Sequence, residues 1–202
     1  MMKKNFNKFS KKTEIQNKYN LTSDFYDKRY VSIQQEKYNL VVDNLFLQNR
    51  IILDEGCGTG LLFEFLSDSY HQSNFLSCRY VAVDLSINML KEFQSKIKEN
   101  YEDLHTKPFL ILTDLENLPF RKNSFNLIFS FTSFQNLTDM EKGLEESFRV
   151  LSYMGEFFVS ILKKKIKSEK LYNLLKPLTN NLRIIEKDSI EDIIFLGKGL
   201  KK

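Results

Sequence analysis

Three of the chain's seven glycines, Gly56, Gly58 and Gly60, fall within five residues of the stretch ILDEGCGTGLL, Ile52 to Leu62. They follow a short apolar run and precede helix-forming residues, which marks a strand turning directly into a helix. A bend without side chains permits positive φ and lets a ligand reach the main chain, including its N–H groups. The neighbouring letters decide which ligand. A triphosphate loop needs Lys and then Ser or Thr after its last glycine, and Leu61 and Leu62 stand there instead. A dinucleotide turn of the form G-x-G-x-x-G needs its third glycine at position 61. The spacing here is G-x-G-x-G with Asp54 in front. A carboxylate beside the bend repels pyrophosphate and attracts an ammonium, so the turn predicts a cofactor with a cationic end.

Beyond this bend, strand and helix patterns alternate. RIILDEG, RYVAVDLS, PFLILTDL, SFNLIFSFTSF and GEFFVSIL read as buried strands, with amphipathic helical stretches between most of them. SEKLYNLLKPL reads as a further helix, and LRIIEKD with EDIIFLGK as an antiparallel pair, too close together for a helix between them. Such alternation predicts an α/β fold with right-handed crossovers: a Rossmann-like, doubly wound, seven-stranded, mostly parallel sheet. Residues 22–46 read as an N-terminal helix over the site and belong to a single domain of residues 22–202. Residues 1–21 read as a basic, flexible segment.

Composition narrows the setting. The formal net charge is +4, but residues 1–12 hold five lysines and no acid, so the remainder sums to about −1. The basicity is largely a tail. No apolar run approaches the roughly 20 residues of a membrane-spanning helix, and the N-terminus lacks the apolar core of a signal peptide. Cys57 and Cys78 form neither a disulfide framework nor a metal cluster. The expectation is a cytoplasmic protein with no metal.

In a doubly wound sheet, ligands lie at the carboxyl ends of the strands. The second strand ends at Asp84, whose carboxylate can accept from two adjacent ribose hydroxyls. The third ends at Asp114, which can accept from an exocyclic amine such as adenine N6 while the Leu115 N–H donates to the ring. An ammonium near Asp54, a ribose and an adenine across three strand tips describe S-adenosylmethionine.

The residues that carry this reading resemble the class I S-adenosylmethionine-dependent methyltransferases, in particular the small single-domain type 11 or UbiE-like group. ILDEGCGTG is similar to the cofactor loop, and VAVDLSINML to the ribose-binding strand and helix. TDLENLPFRKNSFNLIFSF is similar to the adenine turn and fourth strand, and ESFRVLSYMGEFFVSIL to the following helix and strand. The resemblance covers roughly residues 48–162. It implies cofactor contacts from Asp54, Gly56, Cys57, Gly58, Gly60, Asp84, Leu85, Met89, Asp114 and Leu115, with Leu118 near the adenine. Glu55 departs from it, standing where an apolar residue is usual; so do Asn126 and the shortened YMGE turn.

Methyl transfer from a sulfonium is in-line displacement, so positioning dominates and acid–base help is optional. His71 and His105 lie in helix-to-strand connections, at the sheet edge away from the cofactor, and read as surface residues. Gln135 and Asn136, past the fourth strand, could orient an acceptor, or simply cap the next helix. Tyr26 and Tyr30 in the N-terminal helix could bind the methionine carboxylate or stack on an acceptor, or merely pack. None is an evident general base. The run Lys163, Lys164, Lys165 and Lys167, with the basic tail, could guide a phosphate backbone. Because the short chain shows no bulky lid to bury a small molecule, RNA is the expected acceptor ahead of a small metabolite. A non-catalytic, cofactor-binding partner subunit is the remaining alternative.

Overall fold

The computed structural model describes residues 2–42, 45–69, 77–104 and 107–200, with backbone alone for 2–10 and 22–25. His71 and His105 lie outside the described residues. Helix α1 (Met2–Val42) leads into strand β1 (Ile51–Glu55), helix α2 (Leu61–Ser69), strand β2 (Arg79–Asp84) and helix α3 (Ile87–Asn100). Then come β3 (Phe109–Leu112), β4 (Phe125–Phe131), the first of two described 3-10 turns (Phe134–Asn136; the second is Lys176–Leu178) and α4 (Met140–Val150). β5 (Leu151–Leu162), α5 (Ser168–Leu175), β6 (Thr179–Glu186) and β7 (Asp192–Gly199) complete the chain.

The seven strands form one sheet in the order β3-β2-β1-β4-β5-β7-β6. The first five are parallel to their neighbours, and β7 runs antiparallel to both β5 and β6. Strand order reverses between β1 and β4, the crevice in which such sheets hold ligands. Alternating residues feed two apolar layers. Ile52, Tyr80 and Phe129 meet Phe63 of α2 and Phe93 of α3 on one face. Leu53, Val83 and Ile128 meet Leu144 and Phe148 of α4 and Leu171 of α5 on the other. With both faces covered, β1 and β4 read as nearly continuous apolar runs.

The N-terminus departs from expectation. α1 does not begin near residue 22; it is one helix of 41 residues that includes the segment read as a flexible tail. Residues 1–42 contain no glycine or proline, so nothing local breaks it. Among its described side chains, Tyr38, Val41 and Val42 of the last turns enter the apolar core, and Tyr26 and Leu40 pack against it. Further back it is held by polar side chains: Lys12 to Asp114, Gln16 to the Leu85 carbonyl, Asn20 to Ser86, and Asp27 to Thr59 and Lys96. At 1.5 Å per residue, the stretch from Lys12 to Lys37 runs roughly 37 Å across the strand tips. No helix among the described residues is long and apolar enough to cross a membrane.

The glycine bend makes unequal demands on its members. Gly58 (φ +55°) faces open space, whereas a side chain on Gly60 (φ +86°) would enter the Phe93 ring. Gly58→Ala should therefore cost about 1 kcal/mol, the backbone term alone. Gly60→Ala adds a core collision and should cost about 3 kcal/mol. Urea unfolding of the two variants checks the ordering, and equal losses would mean that Phe93 moves aside freely.

Candidate active site

A cleft of about 720 Å³, counting the open solvent at its mouth, lies between α1 and the tips of β1, β2, β3 and β4. Gly56, Gly58, Asp84, Leu85, Met89, Asp114 and Leu115 line it, joined by Tyr26 and Asn136. Asp54 and Cys57 line a smaller polar hollow that shares Tyr26, Gly56, Gly58 and Phe131 with the cleft. Nearly the whole set expected from the resemblance is thus brought together. Gly60 serves from behind, against Phe93. Leu118 is not among the lining residues and belongs to the same apolar layer as Leu115.

The two strand-tip acids are built alike. Asp84 Oδ1 accepts from the Ser86 N–H at 2.8 Å, and Asp114 Oδ1 from the Glu116 N–H at 2.9 Å. Each local turn fixes its carboxylate and leaves Oδ2 for a neighbour. Asp84 Oδ2 accepts from the Gly58 N–H at 2.9 Å, and Asp114 Oδ2 from Lys12 Nζ at 2.5 Å. An ionised carboxylate has about four acceptor sites, so both keep capacity for a ligand. Burial pushes the Asp84 carboxyl above its usual range, against the pull of the Ser86 and Gly58 amides.

The bend itself differs from expectation. Four of its N–H groups are taken up: Gly56 and Cys57 donate to the Val83 carbonyl, Gly58 to Asp84 and Gly60 to the Cys57 carbonyl. The three positive φ values turn these donors inward to β2 and its neighbours. Asp54, 3% exposed, accepts from the Tyr80 hydroxyl at 2.7 Å and has no cationic partner among the described residues. Burial pushes its carboxyl up to about 7. Gln34 Oε1, lining the same hollow, is buried without a hydrogen-bond partner among the described residues. A hollow with an unneutralised carboxylate and a spare carbonyl suits a cation and repels an anion.

The acceptor-side candidates divide. Asn136 lines the cleft and donates to the Tyr19 hydroxyl at 2.8 Å. Gln135 is turned back into its own turn, donating to the Thr132 carbonyl at 2.6 Å, and is absent from the cleft wall. Tyr26 lines the cleft; Tyr30 packs on it with ring centroids 4.6 Å apart. Sequence reasoning missed Lys12, Ile15 and Tyr19, which line the cleft from the segment read as a tail. Their spacing with Tyr26, in steps of three, four and seven, was a helical signal in plain view. Also missed was Glu116, which accepts from Lys12, from Thr138 N and Oγ1 and from Asp139 N, tying the loop after β4 to the adenine-side turn.

A family model described as a methyltransferase domain matches residues 53–159, just over half of the chain. The chain belongs to this family of S-adenosylmethionine-dependent methyltransferases. Over 155 residues it is 31% identical to the malonyl-[acyl-carrier protein] O-methyltransferase 2 of Coxiella burnetii, covering 75% of this chain and 58% of the relative. Over 137 residues it is 29% identical to the ubiquinone/menaquinone biosynthesis C-methyltransferase UbiE of Wigglesworthia glossinidia brevipalpis, covering 67% and 52%. The chain thus spans little more than half the length of these two relatives. Its fold is similar to that of magnesium protoporphyrin IX methyltransferase from Synechocystis, solved with S-adenosylmethionine bound. That likeness has a TM-score of 0.72 at 16% identity, covering 94% of this chain and 97% of the other. The methyl donor of the family is S-adenosylmethionine, and the cleft residues fit it: a cation hollow, then two acids at successive strand tips.

Proposed function

We propose that the protein transfers the methyl group of S-adenosylmethionine to a small molecule. The carrying observation is the order of groups along one crevice: Asp54 in its cation hollow, Asp84, then Asp114 with Leu115. In this reading the methionine ammonium neutralises Asp54, with Gln34 and Tyr26 beside it. Asp84 accepts from the ribose hydroxyls. Asp114, shared with Lys12, accepts from the adenine amine, and Met89 and Ile15 pack against the ring. When bound, the donor supplies an electrophilic methyl group. The protein contributes alignment and exclusion of water.

The preference for a small acceptor over RNA rests on α1. The RNA expectation relied on the lack of a lid, and α1 covers the strand tips from Lys12 to Lys37. Part of the basic set is also engaged. Lys11 donates to the Leu137 carbonyl, Lys12 sits between Asp114 and Glu116, and Lys163 donates to the Lys187 carbonyl. Lys164 lies 3.8 Å from Glu191. A side opening remains, bounded by Leu137, Thr138, Met140 and Ile166 and rimmed by Lys165, Lys167 and Lys170 together with Asp139 and Glu141. The lysines outnumber the carboxylates there, which favours an acidic acceptor, and they are the observation that keeps RNA as a second reading.

Incubation with methyl-labelled donor and fractionated cell extract tests the proposal. Label in the small-molecule fraction is expected. Label in RNA would reverse the acceptor reading. A protein that binds donor yet labels nothing would be the silent partner subunit.

A further inference from the structure

We infer that Thr132, backed by Asp192 and Lys37, forms the proton-accepting side of the methyl-transfer site. The inference rests on the donor placement proposed above and supplies the base that the sequence did not reveal. Thr132 lines the donor cleft just beyond the tip of β4. β7 runs antiparallel to β5, so its first residue, Asp192, pairs with the last of β5, Leu162, and reaches the same rim of the sheet. The Thr132 hydroxyl lies 2.9 Å from Asp192 Oδ2 and 2.5 Å from Lys37 Nζ. Lys37 Nζ is itself 3.2 Å from Asp192 Oδ2, and both residues are only 1% exposed.

The direction of the hydrogen bonds follows from chemistry. An ammonium only donates and a carboxylate only accepts, so the Thr132 proton must point to Asp192. One lone pair of the hydroxyl stays available to receive a proton. Asp192 Oδ2 also accepts from Ser160 Oγ at 2.8 Å, while Oδ1 is buried with no partner among the described residues. Two further features point to use rather than stability. Thr132 is β-branched at φ +57°, a conformation costing about 1–3 kcal/mol and concentrated at functional sites. A buried ion pair is also poor support for a fold, since apolar replacements of similar volume often stabilise as well or better.

The step balances. A lone pair of the acceptor atom attacks the methyl carbon as the carbon–sulfur bond breaks, its electron pair going to sulfur and turning sulfonium into thioether. The acceptor's proton passes to Thr132 Oγ while the Thr132 proton passes to Asp192. Asp192 ends neutral, and the Lys37 ammonium is unchanged. The positive charge lost by the donor reappears as the proton on Asp192.

The test needs no knowledge of the acceptor. In T132C the side chain itself becomes the nucleophile, and S-adenosylmethionine is the probe. Incubation should methylate the introduced thiol, read by peptide mass mapping against Cys57 and Cys78. The T132C/D192N double variant should react about 100-fold more slowly, the usual scale of a lost acid–base partner. S133C, on the same wall but bonded to the Glu55 carbonyl rather than to Asp192, should stay unmethylated. Calorimetry with donor and a melting scan accompany each variant. A T132C protein that is folded and binds donor but remains unmethylated overturns the inference. So does transfer at equal rates in T132C and S133C, or transfer indifferent to D192N. Failure of the wild-type protein to bind donor overturns the donor reading, and this one with it.

Discussion

Asp84→Ala is expected to weaken S-adenosylhomocysteine binding about 100-fold, measured by calorimetry. Two hydrogen bonds from ribose hydroxyls to an ionised acceptor contribute about 1.5–3 kcal/mol each, and their loss is only partly offset by water. The alanine also removes the acceptor for the Gly58 and Ser86 amides, so the glycine bend loses one of its ties to β2 and keeps those of Gly56 and Cys57 to the Val83 carbonyl. Asp84→Asn separates the two effects. It keeps a carbonyl for one amide but loses the charge, and should fall between wild type and alanine. Unchanged affinity in Asp84→Ala would remove the ribose from this carboxylate and with it the donor placement.

Glu55 gives the second large effect, on stability rather than binding. It is fully buried beneath the sheet, facing Ser147 of α4. The Ser147 hydroxyl lies 2.8 Å from Glu55 Oε2 and 3.0 Å from the Gly143 carbonyl, yet it has one proton to give. A protonated Glu55 that donates to Ser147 Oγ, while Ser147 donates to Gly143, gives both protons an acceptor and leaves Glu55 Oε1, buried with no partner among the described residues, as a neutral carbonyl oxygen. Burial agrees, pushing this carboxyl up to about 8. The folded state therefore holds a proton that the unfolded chain releases at its ordinary value of 4.5. Stability from this group is complete below that value and is lost as pH rises through about 8. At nearly 1.4 kcal/mol per pH unit, the loss between pH 5 and pH 8 is about 3 kcal/mol. Glu55→Gln can donate to Ser147 in the same way and does not titrate. Its urea stability should overtake the wild type's as pH rises, the difference growing across that window. Parallel curves would mean that Glu55 is ionised in the folded protein. Asp54 acts with the same sign, and bound donor should cancel its share by supplying a cation.

The donor half of the site was legible because its signals are local. A bend free of side chains, an acid before it and acids closing two apolar runs each follow from a few adjacent letters, and parallel pairing brings those tips into line. The acceptor half was not legible. Its opening is bounded by the loops after β4 and β5 and its roof is α1, a helix from a segment whose lysines read as a tail. Lys12 shows the difficulty. In the sequence it is one of five basic residues near the terminus, while in the structure it bridges Asp114 and Glu116. Gln135 shows the converse: a polar residue in the right place whose side chain folds back onto Thr132.

The sequence by itself determined the alternation of strand and helix, the parallel sheet with its reversed end, and the three acids placed at its strand tips, since period and turn chemistry act within a few residues. Only the tertiary structure decided that α1 closes over the cleft, that the glycine bend turns its amides inward, and that Asp192 stands behind Thr132. These depend on which distant segments share a strand tip. Asp192 lies 60 residues from Thr132 and 155 from Lys37, and no local pattern encodes that meeting.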